Sequence, residues 1–157
     1  IDDKFSTRFM SLLSLLPIMP LYYNGKTKFT PIHVTDLVEI IYNIIESKNN
    51  NLVLECIGPE IITFKEIIKK LLKLINKKRI LLPFPLFFAN IFAKFFELLP
   101  KPLLTQDQLK LLKYDNVVSG KYKNNSDIGI PSNRFFDQEV KKYSYMWKDG
   151  GEYSREK

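Results

Sequence analysis

The sequence predicts an α/β fold, because stretches with strand character alternate with stretches whose apolar residues recur at helical spacing. The clearest joint between the two is residues 28–36, an extended run that leads into an apolar helix over residues 37–45. Asn24-Gly25, a dipeptide typical of tight turns, separates this run from the segment before it. The chain is therefore predicted to pass from sheet to helix at this joint.

The elements up to the joint follow the same alternation. Apolar residues recur at helical spacing over residues 3–16, and two prolines then impose an extended path. Residues 26–34 are predicted to form a strand, and Pro31 places it at an edge or keeps it short, because proline cannot donate a ladder hydrogen bond. Asp36 is predicted to cap the next helix, with Glu39 as its capping-box partner. The predicted inward stripe of that helix is Leu37, Ile40, Ile41, Ile44 and Ile45.

The middle of the chain repeats the pattern with a further helix. Residues 52–57 are mostly apolar, as expected for a strand that is buried on both faces, and residues 79–82 form another short apolar strand. Thr63 is predicted to cap the helix between them, with Glu66 completing a capping box. The predicted inward positions of that helix are Ile67, Ile68, Leu71, Leu72 and Ile75. A stripe of outward lysines consists of Lys65, Lys69, Lys73 and Lys77.

Residues 86–99 are the most apolar stretch of the chain. A helix of this length would span about 21 Å, which is too short to cross a bilayer. Its apolar arc is wider than one buried face, so it is expected either to be covered by other elements or to rest on a membrane or partner. The outward lysine stripe could likewise meet anionic lipid, or it could be an ordinary solvated face. The aromatic residues assigned to such a surface are Phe87, Phe88, Phe92, Phe95 and Phe96.

The last part of the chain is predicted to be mainly helical with polar connections. Thr105 begins another capping box, ahead of a helix that reaches Lys113. Residues 119–126 are predicted to be a polar linker, residues 135–147 a last helix, and residues 150–157 a frayed tail. The predicted regions are an α/β portion over residues 1–82, an apolar helical subdomain over residues 83–118, and a terminal region over residues 119–157.

Composition restricts the classes of function. The chain has 157 residues, with 24 basic and 17 acidic residues and a formal net charge of +7. A basic excess suits nucleic acid, an anionic membrane or an acidic partner, but arginine is scarce and no base-reading motif is present, so nucleic acid is not predicted. One histidine and one cysteine cannot build a typical zinc site. Cys56 alone can form no internal disulfide, which fits a reducing compartment.

The candidate chemical groups gather at the joint. Lys28 could hold a phosphate on the substrate side, Thr30 lies on the same run, and His33 could contact a ligand at the strand end. The ordinary alternatives are a solvated lysine and a packed, hydrogen-bonded histidine. No glycine-rich phosphate loop is present. Tyr22 and Lys26 have the spacing of a reductase pair, but a turn separates them, so no catalytic residue is assigned.

The order of short motifs resembles that of a known family. Residues 28–37 are similar to the strand-to-helix joint in the second half of extended short-chain dehydrogenase/reductases, which include sugar-nucleotide epimerases and dehydratases. Gly58-Pro59-Glu60, residues 82–85 and residues 97–118 then follow in an order similar to that of atypical members related to the nucleotide-binding accessory subunit of respiratory complex I. The resemblance covers residues 2–151, and residues 105–118 are its most specific part.

This resemblance implies the C-terminal portion of a Rossmann-like fold of the extended short-chain dehydrogenase/reductase (SDR) type, with mixed short strands and a mainly helical C-terminal subdomain. The chain enters at Ile1 in a helix-like pattern, so the half that would bind most of the NAD(P)(H) is expected upstream. The implied role is a complex I subunit, or an assembly or stability factor, with a structural nucleotide. The implied location is cytoplasmic, peripheral on the inner face of the energy-transducing membrane, which is the matrix side in mitochondria. The implied partners are NAD(P), complex I subunits and an anionic membrane surface.

Two alternatives stay open. The full-length protein could be an active NAD(P)-dependent epimerase, dehydratase or reductase that acts on a nucleotide-sugar or a similar substrate. In such relatives the position matching Lys28 is often a basic residue near the substrate diphosphate, but lysine lacks the bidentate fork of the more usual arginine. An upstream Tyr-x-x-x-Lys pair on a helix would favour the enzyme. The chain could also be an independent membrane-binding module.

Overall fold

A computed structural model describes residues 3–47, 52–84 and 110–154 of the chain. Over these residues the protein has a mixed α/β fold, as the sequence predicts. The helices are α1 (Lys4–Leu15), α2 (Val34–Glu46), α3 (Phe64–Leu74) and α4 (Phe136–Ser144). The strands are β1 (Ile18–Tyr22), β2 (Lys28–Phe29), β3 (Leu54–Glu55), β4 (Ile62–Thr63), β5 (Ile80–Phe84) and β6 (Lys123–Asn124). Short 3₁₀ helices lie at Tyr23–Gly25 and Tyr145–Trp147.

The strands of the described residues pair two by two rather than in one continuous sheet. β1 runs parallel to β5, with Ile18 opposite Ile80, and β3 runs parallel to β6. β2 runs antiparallel to β4, and Phe29 also forms a parallel bridge to Asn116. The described residues therefore combine helices and strands, but each sheet has only two strands.

Two predicted strands are shorter than expected. The strand predicted over residues 26–34 is reduced to β2, because Pro31 has no N–H to donate and the backbone turns into α2 at Val34. The strand predicted over residues 52–57 is reduced to β3. Leu54 and Glu55 are both only half-buried, so the prediction that this strand is buried on both faces is wrong.

The hydrophobic core lies between α1, α3 and α4. The rings of Phe9 on α1 and Phe64 on α3 meet edge to face, with centroids 5.3 Å apart. The indole N–H of Trp147 donates to Ser11 Oγ at 2.9 Å, which ties the segment after α4 to α1. Each fully buried aliphatic side chain contributes about 1.5–3 kcal/mol to stability. The predicted inward face of α3 is buried along its length, at Ile67, Ile68, Leu71, Leu72 and Ile75.

The N-termini of α1, α2 and α3 are capped by side chains, but not all by the predicted ones. The Asp3 carboxylate caps α1, and Thr63 and Glu66 form the predicted capping box at α3. The prediction that Asp36 caps α2 is wrong. The cap is His33, whose Nδ1 accepts the N–H of Thr35 at 3.2 Å, so the helix begins earlier and Asp36 lies inside its first turn. There the Asp36 carboxylate is buried and accepts a hydrogen bond from the backbone N–H of Arg134.

The apolar residues of α2 do not form the single inward stripe that the sequence predicts. Ile40 is buried, and Leu37 and Ile44 are half-buried. Ile41 and Ile45, which were predicted to face inward, are exposed. The helix is apolar on two sides, and residues described elsewhere in the chain cover only one of them.

The region after residue 118 is more ordered than its polar sequence predicts. The predicted linker over residues 119–126 contains β6 and the fully buried Asn125. The predicted last helix is present as α4 and the 3₁₀ helix after it. The predicted frayed tail is packed as far as Ser154, because the N–H of Tyr153 donates to Met146 O at 2.8 Å and its ring lies 4.9 Å from that of Trp147.

Several predictions fall outside the described residues. These are the Thr105 cap, most of the predicted subdomain over residues 83–118, and the aromatic surface assigned to residues 87–96. Within the described ranges, no helix combines the length and the apolar character that crossing a bilayer requires.

Candidate functional site

The candidate site is an open cleft of about 370 Å³ where three extended segments meet. One segment follows β2, the second includes the end of β3, and the third is the segment that bridges to Phe29. A volume of this size is within the range of small-molecule sites in proteins. The lining residues are Thr30, Pro31, Ile32, Glu55, Cys56, Ile57, Asn116, Val117 and Val118.

Backbone hydrogen bonds hold these segments together. The N–H of Thr30 donates to Asn116 O at 3.0 Å, and the N–H of Asn116 donates to Lys28 O at 2.8 Å. On the other side, the N–H of Gly58 donates to Thr30 O at 3.4 Å. A Cβ at Gly58 would lie 1.8 Å from Pro31 O, so only glycine allows this approach. Backbone contacts, more than side chains, therefore determine the shape of the cleft.

A buried polar network supports the floor of the cleft. The Asn125 side chain accepts the N–H of Ile57 at 2.8 Å and donates to Ile130 O at 3.1 Å. The hydroxyl of Ser132 donates to Ile57 O at 2.7 Å, and Asn125 Nδ2 donates to the same hydroxyl at 3.2 Å. Because both backbone groups of Ile57 are satisfied by side chains from one loop, this network fixes the chain at the cleft wall.

The side chains at the cleft do not favour an anionic ligand. The Glu55 carboxylate accepts the N–H of Ser119 at 2.9 and 3.1 Å, and the Thr30 hydroxyl donates to Asn116 O at 3.2 Å. Burial raises the pKa of the Cys56 thiol, which keeps it protonated near neutral pH. No lysine, arginine or histidine is among the lining residues. The arrangement therefore suits a hydroxyl- or amide-bearing group better than a phosphate.

The structure separates the predicted substrate-side residues. Thr30 lines the cleft. Lys28 is exposed on β2, and its N–H donates to Asp115 Oδ1 at 2.8 Å. His33 lies at the start of α2, with Nδ1 in the helix cap and Nε2 3.6 Å from Glu139 Oε2. His33 is therefore packed and hydrogen-bonded, and it does not line the cleft.

One ionic cluster among the described residues was not indicated by the sequence. The Arg134 guanidinium pairs with the buried carboxylate of Asp36, and its Nη2 lies 2.9 Å from Glu39 Oε1. The N–H of Arg134 also donates to Asp36 Oδ2 at 3.1 Å. Hydrogen bonds to Glu39 and Asp36 raise the pKa of Arg134. About a hundred residues separate Arg134 from its partners, so no local motif could reveal this clamp.

The lysine stripe is exposed along most of its predicted length. Lys65, Lys69 and Lys73 are exposed, and none of them forms an ion pair with a described residue. Lys77, which was predicted to continue the stripe, is instead largely buried and pairs with Asp149 at 2.6 Å. The outward stripe therefore ends at Lys73.

The described residues offer no site that matches a metal ion or the pyrophosphate of NAD(P). Within those ranges, no group of His, Cys, Asp and Glu side chains is arranged to hold a metal ion. The cleft offers no cation or glycine-rich turn for a pyrophosphate, so its residues fit only an uncharged part of such a cofactor. No family model matches the sequence, and no curated protein matches it either.

Proposed function

We propose that the chain is the C-terminal part of an NAD(P)-binding, Rossmann-like protein of the extended SDR type. Its role is to hold and stabilise a structural nucleotide within, or during assembly of, respiratory complex I. In this proposal most nucleotide contacts come from an upstream half, and the cleft contacts a part of the cofactor that carries no phosphate. The protein lies peripherally on the inner face of the energy-transducing membrane.

The observation that carries this proposal is the position of the cleft. Its walls are residues 30–32, directly after β2, and residues 55–57, at the end of β3. In α/β proteins with an open parallel sheet, ligands bind in crevices outside the carboxyl ends of strands. Both walls here also follow the carboxyl ends of strands, although β2 is antiparallel to β4 and β3 belongs to another sheet. The lining has no lysine, arginine or histidine, which agrees with a division of labour in which another part of the protein binds the phosphates. Association with complex I is supported by the order of motifs over residues 58–118.

The test is to purify the native full-length protein from membranes and identify what it holds. Denaturation followed by chromatography and mass spectrometry is expected to release NAD(P)(H) in a stoichiometric amount. On native gels the protein is expected to migrate with NADH dehydrogenase activity. Absence of nucleotide from the wild-type protein, together with migration apart from complex I, would refute the proposal. Turnover of nucleotide-sugars by the same preparation would instead establish the enzymatic alternative.

The chain by itself gives a second, simpler test. Because its cleft lacks a phosphate site, the 157-residue chain is expected to bind NAD(P) weakly in isothermal titration calorimetry. A dissociation constant of about 1 μM, which corresponds to about −8 kcal/mol, would contradict the proposal that the phosphates are held elsewhere.

A further inference from the structure

One short segment joins the two walls of the cleft, which are the β2 wall (residues 30–32) and the β3 wall (residues 55–57). Residues 132–136 lead from the floor of the cleft to the start of α4, and we call them the bridging segment. The hydroxyl of Ser132 donates to Ile57 O at 2.7 Å, and the N–H of Phe136 donates to Glu60 Oε1 at 3.0 Å. Both ends of the bridging segment are therefore attached on the side of the β3 wall.

The middle of the bridging segment is attached to the other wall through α2. The β2 wall leads directly into this helix, because Ile32 lines the cleft and α2 begins at Val34. The guanidinium of Arg134 pairs with Asp36, and its Nη2 lies 2.9 Å from Glu39 Oε1. The backbone N–H of Arg134 donates to Asp36 Oδ2 at 3.1 Å. Arg134 thus holds the helix that continues the β2 wall, while the ends of its segment hold the β3 side.

This connection between the walls has little slack. Two residues of extended chain span at most about 7 Å, so Ser132 and Arg134 cannot separate further than that. Three residues lie between Ile32 and Asp36, and two of them are already in α2. A displacement of α2 must therefore either break the contacts of Arg134 or move the walls of the cleft.

The direct bond between the walls is the weaker of the two connections. The N–H of Gly58 donates to Thr30 O at 3.4 Å, which is longer than the usual range for this type of bond. Arg134 instead binds a carboxylate, at Asp36, that is only 3% exposed. A buried carboxylate is costly unless it is paired, so the start of α2 depends on Arg134.

We propose that Arg134 is a positioning residue for the cleft, and that its clamp on α2 sets the separation of the β2 and β3 walls through the bridging segment. Loss of the clamp frees the start of α2 and lets the β2 wall move away from the β3 wall. By linkage, a ligand that contacts both walls strengthens the clamp. The inference concerns the geometry of the cleft, and it holds whether or not the ligand is a nucleotide.

The experiment uses Cys56 as a reporter, because its thiol is partly exposed on the β3 wall. The intact protein is alkylated with iodoacetamide or with a bulky maleimide, and the peptide that contains Cys56 is followed by mass spectrometry. The ratio of the two rates reports the width of the cleft, since the thiolate fraction affects both rates alike. Arg134→Met is expected to raise the ratio of the maleimide rate to the iodoacetamide rate at least about fivefold. Arg134→Lys, which keeps the charge but loses the fork, should give a smaller rise.

Two further variants separate positioning from a general loss of stability. Lys77→Met is the matched control, because it removes the cation of another long-range ion pair, 2.6 Å from Asp149, that involves neither the cleft nor α2. It is expected to leave the rate ratio unchanged even where it lowers the unfolding midpoint. In an Asp36→Asn background the clamp is already weakened, so Arg134→Met should raise the ratio much less than it does in the wild type.

Each outcome decides for or against the positioning role. An unchanged rate ratio in folded Arg134→Met protein would overturn the proposal, and so would an equal rise in Lys77→Met. If Arg134→Met does not fold, the proposal is overturned when Arg134→Lys and Asp36→Asn both keep the wild-type ratio. A rise in the ratio in a protein that holds no nucleotide would support the positioning role and count only against the proposed function.

Discussion

At the scale of single residues, two similar cap motifs have different outcomes. Thr63 and Asp36 are each followed three residues later by glutamate, and only Thr63 forms the capping box. Asp36 is instead the buried anchor of Arg134, while His33 takes the cap. The sequence could predict the local bonds at Thr63, because both partners lie within one turn. It could not predict a clamp whose partner lies about a hundred residues away.

The capping box leads to a prediction about pH. Hydrogen bonds from the N–H and hydroxyl of Thr63 lower the pKa of Glu66 below its usual range. A carboxyl with a lowered pKa stabilises the fold above the pKa of the unfolded chain, and this contribution is lost as the pH falls through the lowered value. Thr63→Ala is expected to cost about 1 kcal/mol near neutral pH. The cost should shrink in acid, where Glu66 is protonated.

Denaturant unfolding at neutral and acidic pH measures this effect. Glu66→Gln is the matched variant, because it keeps the size of the side chain and removes the charge. It is expected to flatten the acid dependence of the free energy of unfolding relative to the wild type. A Thr63→Ala cost that is the same at both pH values would show that the carboxylate charge contributes nothing to the cap.

At the scale of elements, β2, β3 and β5 were predicted in the right places but at the wrong lengths, whereas β4 and β6 were not predicted as strands. Apolar runs indicate strand character, but a strand also needs a second strand with which to form hydrogen bonds. The partner of β3 is β6, which lies in a segment whose polar sequence predicts a linker. The cleft was missed for the same reason. Only Thr30 among its lining residues was a predicted site residue, because Glu55 and Asn116 come from distant segments. Contacts made by the backbone leave little trace in side-chain periodicity.

Gly58 gives the sharpest test of how these elements meet. Because a Cβ there would lie 1.8 Å from Pro31 O, Gly58→Ala must push β2 and β3 apart, at an expected cost of about 3 kcal/mol. Gly129→Ala is the control, since nothing lies within 4 Å of a Cβ there and only its positive φ of 79° is penalised, by about 1 kcal/mol. If the two variants lose equal stability in thermal unfolding, the close contact between Gly58 and Pro31 does not determine how the segments after β2 and β3 meet.

At the scale of the whole molecule, the net charge of +7 is distributed unevenly. Lys70 is paired with Glu60 at 2.7 Å and Lys77 with Asp149, so these two cations stabilise the fold. Lys65, Lys69 and Lys73 on the outward side of α3 have no such partner among the described residues. Helix α2 has exposed apolar and acidic residues instead. The two helices therefore present chemically different surfaces, exposed lysines on α3 and exposed apolar and acidic residues on α2.

The exposed lysines of α3 make the proposed peripheral membrane location testable. Each lysine near an anionic surface contributes about 1 kcal/mol, so the three together should give salt-sensitive binding to vesicles that contain phosphatidylglycerol. The triple variant Lys65→Glu, Lys69→Glu and Lys73→Glu is expected to reduce this binding by more than about tenfold. The control has the same net charge and changes exposed lysines elsewhere, at Lys121, Lys123 and Lys148. If both variants lose binding equally in flotation assays, the attraction comes from net charge and α3 is not a specific membrane surface.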